Sequence, residues 1–369
     1  MQTRLAETNR DLLHQLGVLR RVIRQTRVAP ELEPYREQVD SLCGGLEGDV
    51  RRHLLDLSYE VPDTLADILS ATQGALKLFD FLNERLAPPV IRYREEDRCA
   101  LIVLKWLHES SEDTRLRAFA VSDGAFAIYP PPAGPAVYHL PLSRRETLLY
   151  LPLLFHEFGH LLYAGHRREM DELVREFQER VKRALAPGAV RDRSSGARDD
   201  AIRQAVVSAW YPWLQEFFCD AVGLSIGGPA FLKAFSHYFR HRSSEEYFVP
   251  RDQQIQRDHP VTFLRMRMIV DRARAYTLGS AADDVQAAWS ETAALLGVSE
   301  EYEGTWSEEL FTPLREVLDD MLVETEPEFF GDRDPASVVK LTSEAWVRFE
   351  SDSGKYASWE RGAIAEMLS

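Results

Sequence analysis

The chain has 369 residues, 45% of them hydrophobic and 28% charged, with a formal net charge of −15; this suits roughly two to three globular domains and excludes a disordered tract, a collagen-like repeat or a disulfide miniprotein. The acidic balance argues against nucleic acid or an anionic membrane as partner. The longest apolar run, Leu148 to Phe155, falls far short of a membrane span of about 20 residues, and three scattered cysteines, Cys43, Cys99 and Cys219, form no disulfide framework, so a reducing cytoplasm is expected.

From the N-terminus, whose first residues lack the apolar core of a signal peptide, the pattern is helical. Leu12, Leu16, Leu19 and Ile23 recur at spacings of four, three and four, and Leu5 and Asn9 extend the seam, an a/d stripe too short for a long coiled coil. Residues 1–28 carry six Lys/Arg against two Asp/Glu. The helix therefore reads either as a docking element for a protein partner or as the solvated face of a bundle. A second helix is expected over about 35–57, weakened by Gly44, Gly45 and Gly48. A third, from about Pro62, has Leu65, Ile68, Leu69, Thr72, Leu76, Phe79 and Leu86 on one face and is stopped by Pro88-Pro89. Residues 1–95 thus form an N-terminal helical region. CALIVLKW (99–106) is rich in strand formers. RLRAFAVSDGAFAIY (115–129) predicts two strands around a Ser122-Asp123-Gly124 hairpin turn, and AVYHLPL (136–142) a further strand.

Helix resumes at Ser143, where Ser143 and Glu146 fit a capping box. The following ETLLYLPLLFHEFGHLLYAG is apolar almost all round, as in a buried central helix, and Pro152 should kink or restart it. Residues 167–185 predict an amphipathic helix with Met170, Leu173, Phe177, Val181 and Leu185 inward. The polar stretch 186–200 reads as a loop, a candidate lid or processing point. Further helices are expected over about 200–224, 229–241, 260–277 and 280–296. Residues 299–332 hold twelve Asp/Glu and one basic residue, Arg315, and read as a solvated acidic face.

One motif carries chemistry. His156-Glu157-Phe158-Gly159-His160 is an H-E-x-x-H sequence. Residues four apart lie one above the other on a helix, so both imidazoles can reach one metal ion, and two neutral histidines suit Zn²⁺. Glu157, turned about 100° from His156, can face a metal-bound water and take its proton as it attacks a carbonyl. The bland alternative is a pair of hydrogen-bonded core histidines. A catalytic zinc needs a third protein ligand; the best candidate is Glu216 in WLQEFFCDAVG (213–223), with Asp220 on the same helix face accepting from a ligand histidine. Otherwise Glu216 and Asp220 are solvated carboxylates of an amphipathic helix. Cys219 is expected to point off the Glu216 face. In Asp258-His259-Pro260-Val-Thr-Phe-Leu-Arg265, Pro260 suits a first helical turn, and His259 or Arg265 could face the oxyanion of a hydrolysed amide; the plain reading is a helix start and a salt-bridging arginine. Tyr138, Tyr211 and Tyr247 are further oxyanion candidates. His139 could line a cleft, and His166 could sit against the last carbonyls of the motif helix.

HEFGH, then EFFCDAVG, then HPVTFLR resembles the gluzincin metallopeptidases, most closely the M48-type group that includes the HtpX-like and CAAX-prenyl proteases. Over roughly 115–275 the resemblance implies a zincin-like core with a small β-sheet and the HExxH helix. It implies His156, His160 and Glu216 as zinc ligands, Glu157 as general base, Asp220 as orienter of a ligand histidine, and His259 and Arg265 near the cleft, with an edge strand aligning the substrate. The chain departs from the group in having no spanning segment by sequence, in Cys219 where a small residue is usual, and in Pro152. HEFGH alone also resembles the thimet-type oligopeptidases, for which Glu176 or Glu179 would be the third ligand; the wider motif favours Glu216. The expected fold class is α+β, mostly α-helical, with a zincin-like domain over 96–279 flanked by helical regions 1–95 and 280–369. The expected function is a soluble zinc-dependent endopeptidase acting on a protein or peptide substrate. The alternatives are a zinc-binding pseudo-peptidase that works as an interaction protein, and a zinc hydrolase of a non-peptide amide.

Overall fold

A computed structural model of the chain describes residues 1–59, 65–129, 134–185, 196–298, 302, 305–331 and 338–369, the side chains of 196–199 excepted. The expected helix start at Pro62 and most of the expected loop 186–200 lie outside these residues. The protein is mostly helical with one small sheet. It divides into two compact units: residues 1–108 with 116–146 and Leu368, and residues 109–115 with 147–367 and Ser369. The sheet therefore groups with the N-terminal helices and the C-terminal helices with the motif helix, unlike the division 1–95, 96–279 and 280–369.

The first unit is built on α1 (Gln2–Gln25), α2 (Glu33–Ser58) and α3 (Leu65–Phe81), packed as a bundle. The stripe Leu5, Asn9, Leu12, Leu16, Leu19 and Ile23 is buried, as its spacing predicts. Asn9 is tolerated there because its side-chain amide donates to Leu5 O at 2.9 Å and Thr72 Oγ1 at 3.0 Å. Two of the basic residues of α1 are taken by its acidic neighbour: Asp40 of α2 lies 3.1 Å from Arg20 and 2.8 Å from Arg24. Pro88 does not end the helical run. It starts the short α4 (Pro88–Ile91), where a missing N–H is harmless.

CALIVLKW is not a strand but lies in α5 (Arg98–Glu109), with Cys99, Ala100, Leu101, Val103, Leu104 and Leu107 buried; a run buried on most sides carries no period to separate helix from strand. The sheet comprises β1 (Phe119–Asp123), β2 (Ala127–Tyr129) and β3 (Ala136–Leu140) in the order β1-β3-β2. The predicted hairpin is absent: β1 pairs in parallel with β3, from Phe119↔Ala136 to Asp123↔Leu140, and β2 pairs antiparallel with β3. The Ser-Asp-Gly turn instead carries the chain past β3, Gly124 N–H donating to Leu140 O at 3.2 Å.

The capping box does not start the motif helix. Ser143 lies in a single 3₁₀ turn, and α6 (Leu153–Gly165) begins directly after Pro152, which occupies its N-cap. α7 (Arg167–Ala184) follows, burying Met170, Val174, Phe177 and Val181. The long α8 (Gly196–Phe239) breaks at Gly228, whose φ of 50° and ψ of −130° are non-helical. A Cβ there would meet the Phe330 ring at 2.8 Å, so glycine is required by both conformation and space. By length and composition Asp200–Phe239 could cross a membrane, but 89% of its apolar window is buried within the structure. α9 (Arg251–Gln254), α10 (Thr262–Ala275), α11 (Gly279–Leu295), α12 (Phe311–Thr325), α13 (Val338–Ser351) and α14 (Ser353–Leu368) complete the chain. α6, α7, α10, α11, α12 and α13 all pack on α8, α6 most extensively.

Candidate metal centre

The site is assembled where α6 meets α8. Gly159, at the centre of the HExxH segment, makes this possible: a Cβ there would lie 2.8 Å from Cys219 Cα and 3.1 Å from its Sγ. Only a glycine lets the backbones approach so closely. The approach brings the inward face of α6, with His156 and His160, against the face of α8 that carries Glu216 and Asp220. All of these except His160, which is half-buried, are buried.

Glu216 lies between the two histidines. One of its carboxylate oxygens, Oε2, is 3.4 Å from His156 Nε2, and the other, Oε1, is 3.5 Å from His160 Nε2. Oε2 is buried and accepts no hydrogen bond; its other neighbour is Arg265 Nη1 at 3.2 Å. Donors about 2.0–2.1 Å from one tetrahedral zinc are separated by roughly 3.3 Å, so these separations fit a shared metal ion. The other side of His156 is fixed as well: its Nδ1 is 2.9 Å from Asp220 Oδ1. A proton on Nδ1 leaves Nε2 with its lone pair toward Glu216, the arrangement in which a histidine ligates. The residues present thus fit a divalent cation held by His156, His160 and Glu216.

Arg265, on α10, is buried beneath this set. Its Nε and Nη2 each donate to Asp220 at 2.7 Å, its Nη1 meets Glu216, and its guanidinium stacks 5.1 Å over the Phe235 ring. All three nitrogens are engaged, so Arg265 positions the carboxylates and does not face an oxyanion. His259 differs: its side chain is 64% exposed, and Nε2 lies 3.4 Å from Glu216 Oε1. It stands on the solvent side of the site. Trp213 helps to place it, its indole N–H donating to Arg257 O at 2.9 Å two residues earlier.

Burial shapes the titration of the cluster. It pushes the Glu157 carboxyl up to about 7, with the His156 charge pulling the other way. It lowers His160 to about 4. It also disfavours the charged forms of His156 and Glu216, but is outweighed in both. The Asp220 and Glu216 carboxylates on either side raise His156 to about 10, and Arg265 with His156 holds the Glu216 carboxyl well below the usual carboxylate range. The metal-free site therefore keeps a proton on His156 between two carboxylates, and a divalent cation would displace a proton from this cluster on binding. Glu157 is buried and takes part in no hydrogen bond or ion pair among the described residues.

The structure brings His156, Glu157, His160, Glu216, Asp220, His259 and Arg265 together in one unit. It leaves other sequence candidates elsewhere. Tyr138 OH is bonded to His108 at 2.9 Å, Tyr211 OH donates to Asp171 at 2.6 Å and Tyr247 OH to Arg240 O at 2.8 Å, so these hydroxyls have other partners. His139 lies on β3 with Nδ1 3.1 Å from Asp123 O. His166 is the C-cap residue of α6, its backbone N–H donating to Leu162 O at 3.1 Å, while its side chain pairs with Asp113 at 2.8 Å. Cys219 was expected to point away, yet its Sγ and one ring nitrogen from each of His156 and His160 all lie within 4.8 Å of one another. The spacing from Glu216 to Cys219 is three, which on a helix is the same face as a spacing of four. His156, His160 and Cys219 are thus a second set of candidate donors, sharing both histidines with the first.

Comparison with family profiles, curated proteins and solved structures finds no match. The likeness to the M48-type gluzincins rests on the three motifs alone.

Proposed function

We propose that the chain is a zinc-dependent metallopeptidase with a gluzincin-type site. The observation that carries the reading is the convergence of His156 Nε2 and His160 Nε2 on the Glu216 carboxylate, while Asp220 holds the far side of His156. When bound, zinc would polarise a carbonyl as a Lewis acid and lower the pKa of a bound water to about 7. The chain's own residues do the rest. His156, His160 and Glu216 hold the ion. Asp220 fixes the tautomer of His156, and Arg265 holds Asp220 in place and keeps Glu216 ionised. Glu157, uncommitted and raised by burial toward neutrality, takes the proton of the attacking water and delivers it to the leaving amine. His259, on the solvent side, faces the charge that develops on the carbonyl oxygen.

The test is Glu157→Gln. Native protein and variant should each carry one zinc per chain by elemental analysis. Cleavage of a proteome-derived peptide library should fall by about 10²- to 10⁴-fold in the variant. Full turnover in the variant would reject the mechanism. A zinc-loaded native protein that cleaves nothing would favour a pseudo-peptidase that uses its helical surfaces for binding.

A further inference from the structure

Among the described residues, Cys219 is the one thiol within reach of the metal donors, and the reading above gives it no task. It is fully buried on α8, three residues after Glu216 and one before Asp220. It faces α6 at Gly159, between the two histidines in sequence, where its Sγ lies 3.1 Å from the point a Cβ would occupy. The side chain makes no hydrogen bond among the described residues. Its sulfur is within 4.8 Å of a ring nitrogen of both His156 and His160. A thiolate and an imidazole on one tetrahedral zinc, with bonds of about 2.3 and 2.0–2.1 Å, stand about 3.6 Å apart. The observed limit of 4.8 Å is about 1.2 Å beyond that separation. A second observation bears on the same histidines: Glu216 Oε2, buried and without a hydrogen bond, lies 3.4 Å from His156 Nε2.

We propose that Cys219 is a fourth protein donor to the metal in the resting protein, joining His156, His160 and Glu216. The inference rests on the metal-site reading above and adds regulation to it. Catalytic zinc sites keep one coordination position open, whereas sites with four protein donors are closed. With Cys219 attached, the site is closed and the protein is at rest; when the sulfur leaves, the position is free. In the binding step the Cys219 S–H bond breaks, its proton passes to solvent and the sulfur electron pair forms the bond to the metal. In the opening step that bond breaks and the sulfur takes back a proton from solvent. No oxidant or reductant takes part. The thiol is costly to ionise without a metal, because burial and the carboxylates of Glu216 and Asp220 push it well above its ordinary range; direct coordination removes that barrier by deprotonating the thiol outright.

The test is cobalt(II) titrated into the metal-free full-length protein, with Cys219→Ser and Cys219→Ala alongside. The wild-type protein should bind one cobalt per chain and show an intense near-ultraviolet sulfur-to-cobalt band beside the visible d–d bands. Both variants should bind cobalt, keep the d–d bands and lose the sulfur band completely. Visible bands without a sulfur band in the wild-type protein, or a sulfur band that survives in Cys219→Ala, overturns the proposal and leaves the metal site standing. Failure of the wild-type protein to take up cobalt overturns both. The wild-type spectrum decides the matter even if a variant fails to fold.

Discussion

Each unit of the protein buries an arginine between two carboxylates, and the two clusters differ in what they leave unsatisfied. In the first unit Arg145, 3% exposed, meets Asp97 and Asp123, and the second oxygen of Asp97 accepts the Arg94 N–H at 3.1 Å. The atom left over is Arg145 Nε, a donor. In the second unit Arg265 meets Asp220 and Glu216, and the atom left over is Glu216 Oε2, an acceptor set among imidazole nitrogens. Burial raises the Asp97 carboxyl in spite of Arg145; at Glu216 burial acts in the same sense but is overcome, and the carboxylate stays charged. Under the proposed function, a cation has its place in the second cluster. Buried charge by itself marks architecture; what sets the second cluster apart is a buried carboxylate oxygen without a hydrogen bond beside two imidazoles.

The comparison can be broken most directly at the arginines. Arg145→Leu and Arg265→Leu each strand buried carboxylates and should destabilise by about 3–5 kcal/mol, read by denaturant unfolding. The gain from zinc should exceed that of the wild-type protein in Arg265→Leu, where the ion can stand in for the lost positive charge, and match it in Arg145→Leu, whose metal site is intact; the same gain in both variants breaks the contrast. Next, zinc added to metal-free wild-type protein at 100 times its Kd should stabilise it by about 2.7 kcal/mol, and a chelator should reverse the shift in Tm. Asp220→Asn weakens the hold on His156 and should lower zinc affinity by about 10- to 100-fold, measured by competition with a chromophoric chelator. Last, Gly159→Ala drives a methyl into Cys219 Cα and should cost about 1–3 kcal/mol. It should also loosen zinc, since the same contact sets the spacing between His160 and Glu216.

Much of the helical framework is legible in the sequence, because a stripe such as Leu12, Leu16, Leu19 and Ile23 has one period and one solution. The site is legible to the same degree: spacings of four place His156 with His160 and Glu216 with Asp220, whatever the rest of the fold. Features without a period are not. CALIVLKW is apolar except at Lys105, a run too short and too uniform to show its period. The capping box at Ser143 is locally sound but loses to Pro152, whose fixed φ suits a helix start. The parallel pairing of β1 with β3 is set by contacts that a Ser-Asp-Gly turn does not encode. Neither the Arg145–Asp97 pair, 48 positions apart, nor the three engaged nitrogens of Arg265 leave a local signal. Cys219 had one, its spacing of three from Glu216, which weighed less than its place next to Asp220.

The division of the ligands between α6 and α8 sets an order of events in biosynthesis. A nascent chain that has released only residues 153–165 offers two imidazoles and no carboxylate, a weak grip on any ion. The full set exists only after α8 has been synthesised and has closed on α6 at Gly159. Under the proposed function, metal loading follows the packing of α8 on α6 and does not nucleate it. In native-state exchange, zinc should slow the amides of both helices together, because neither can open while the other keeps hold of the ion.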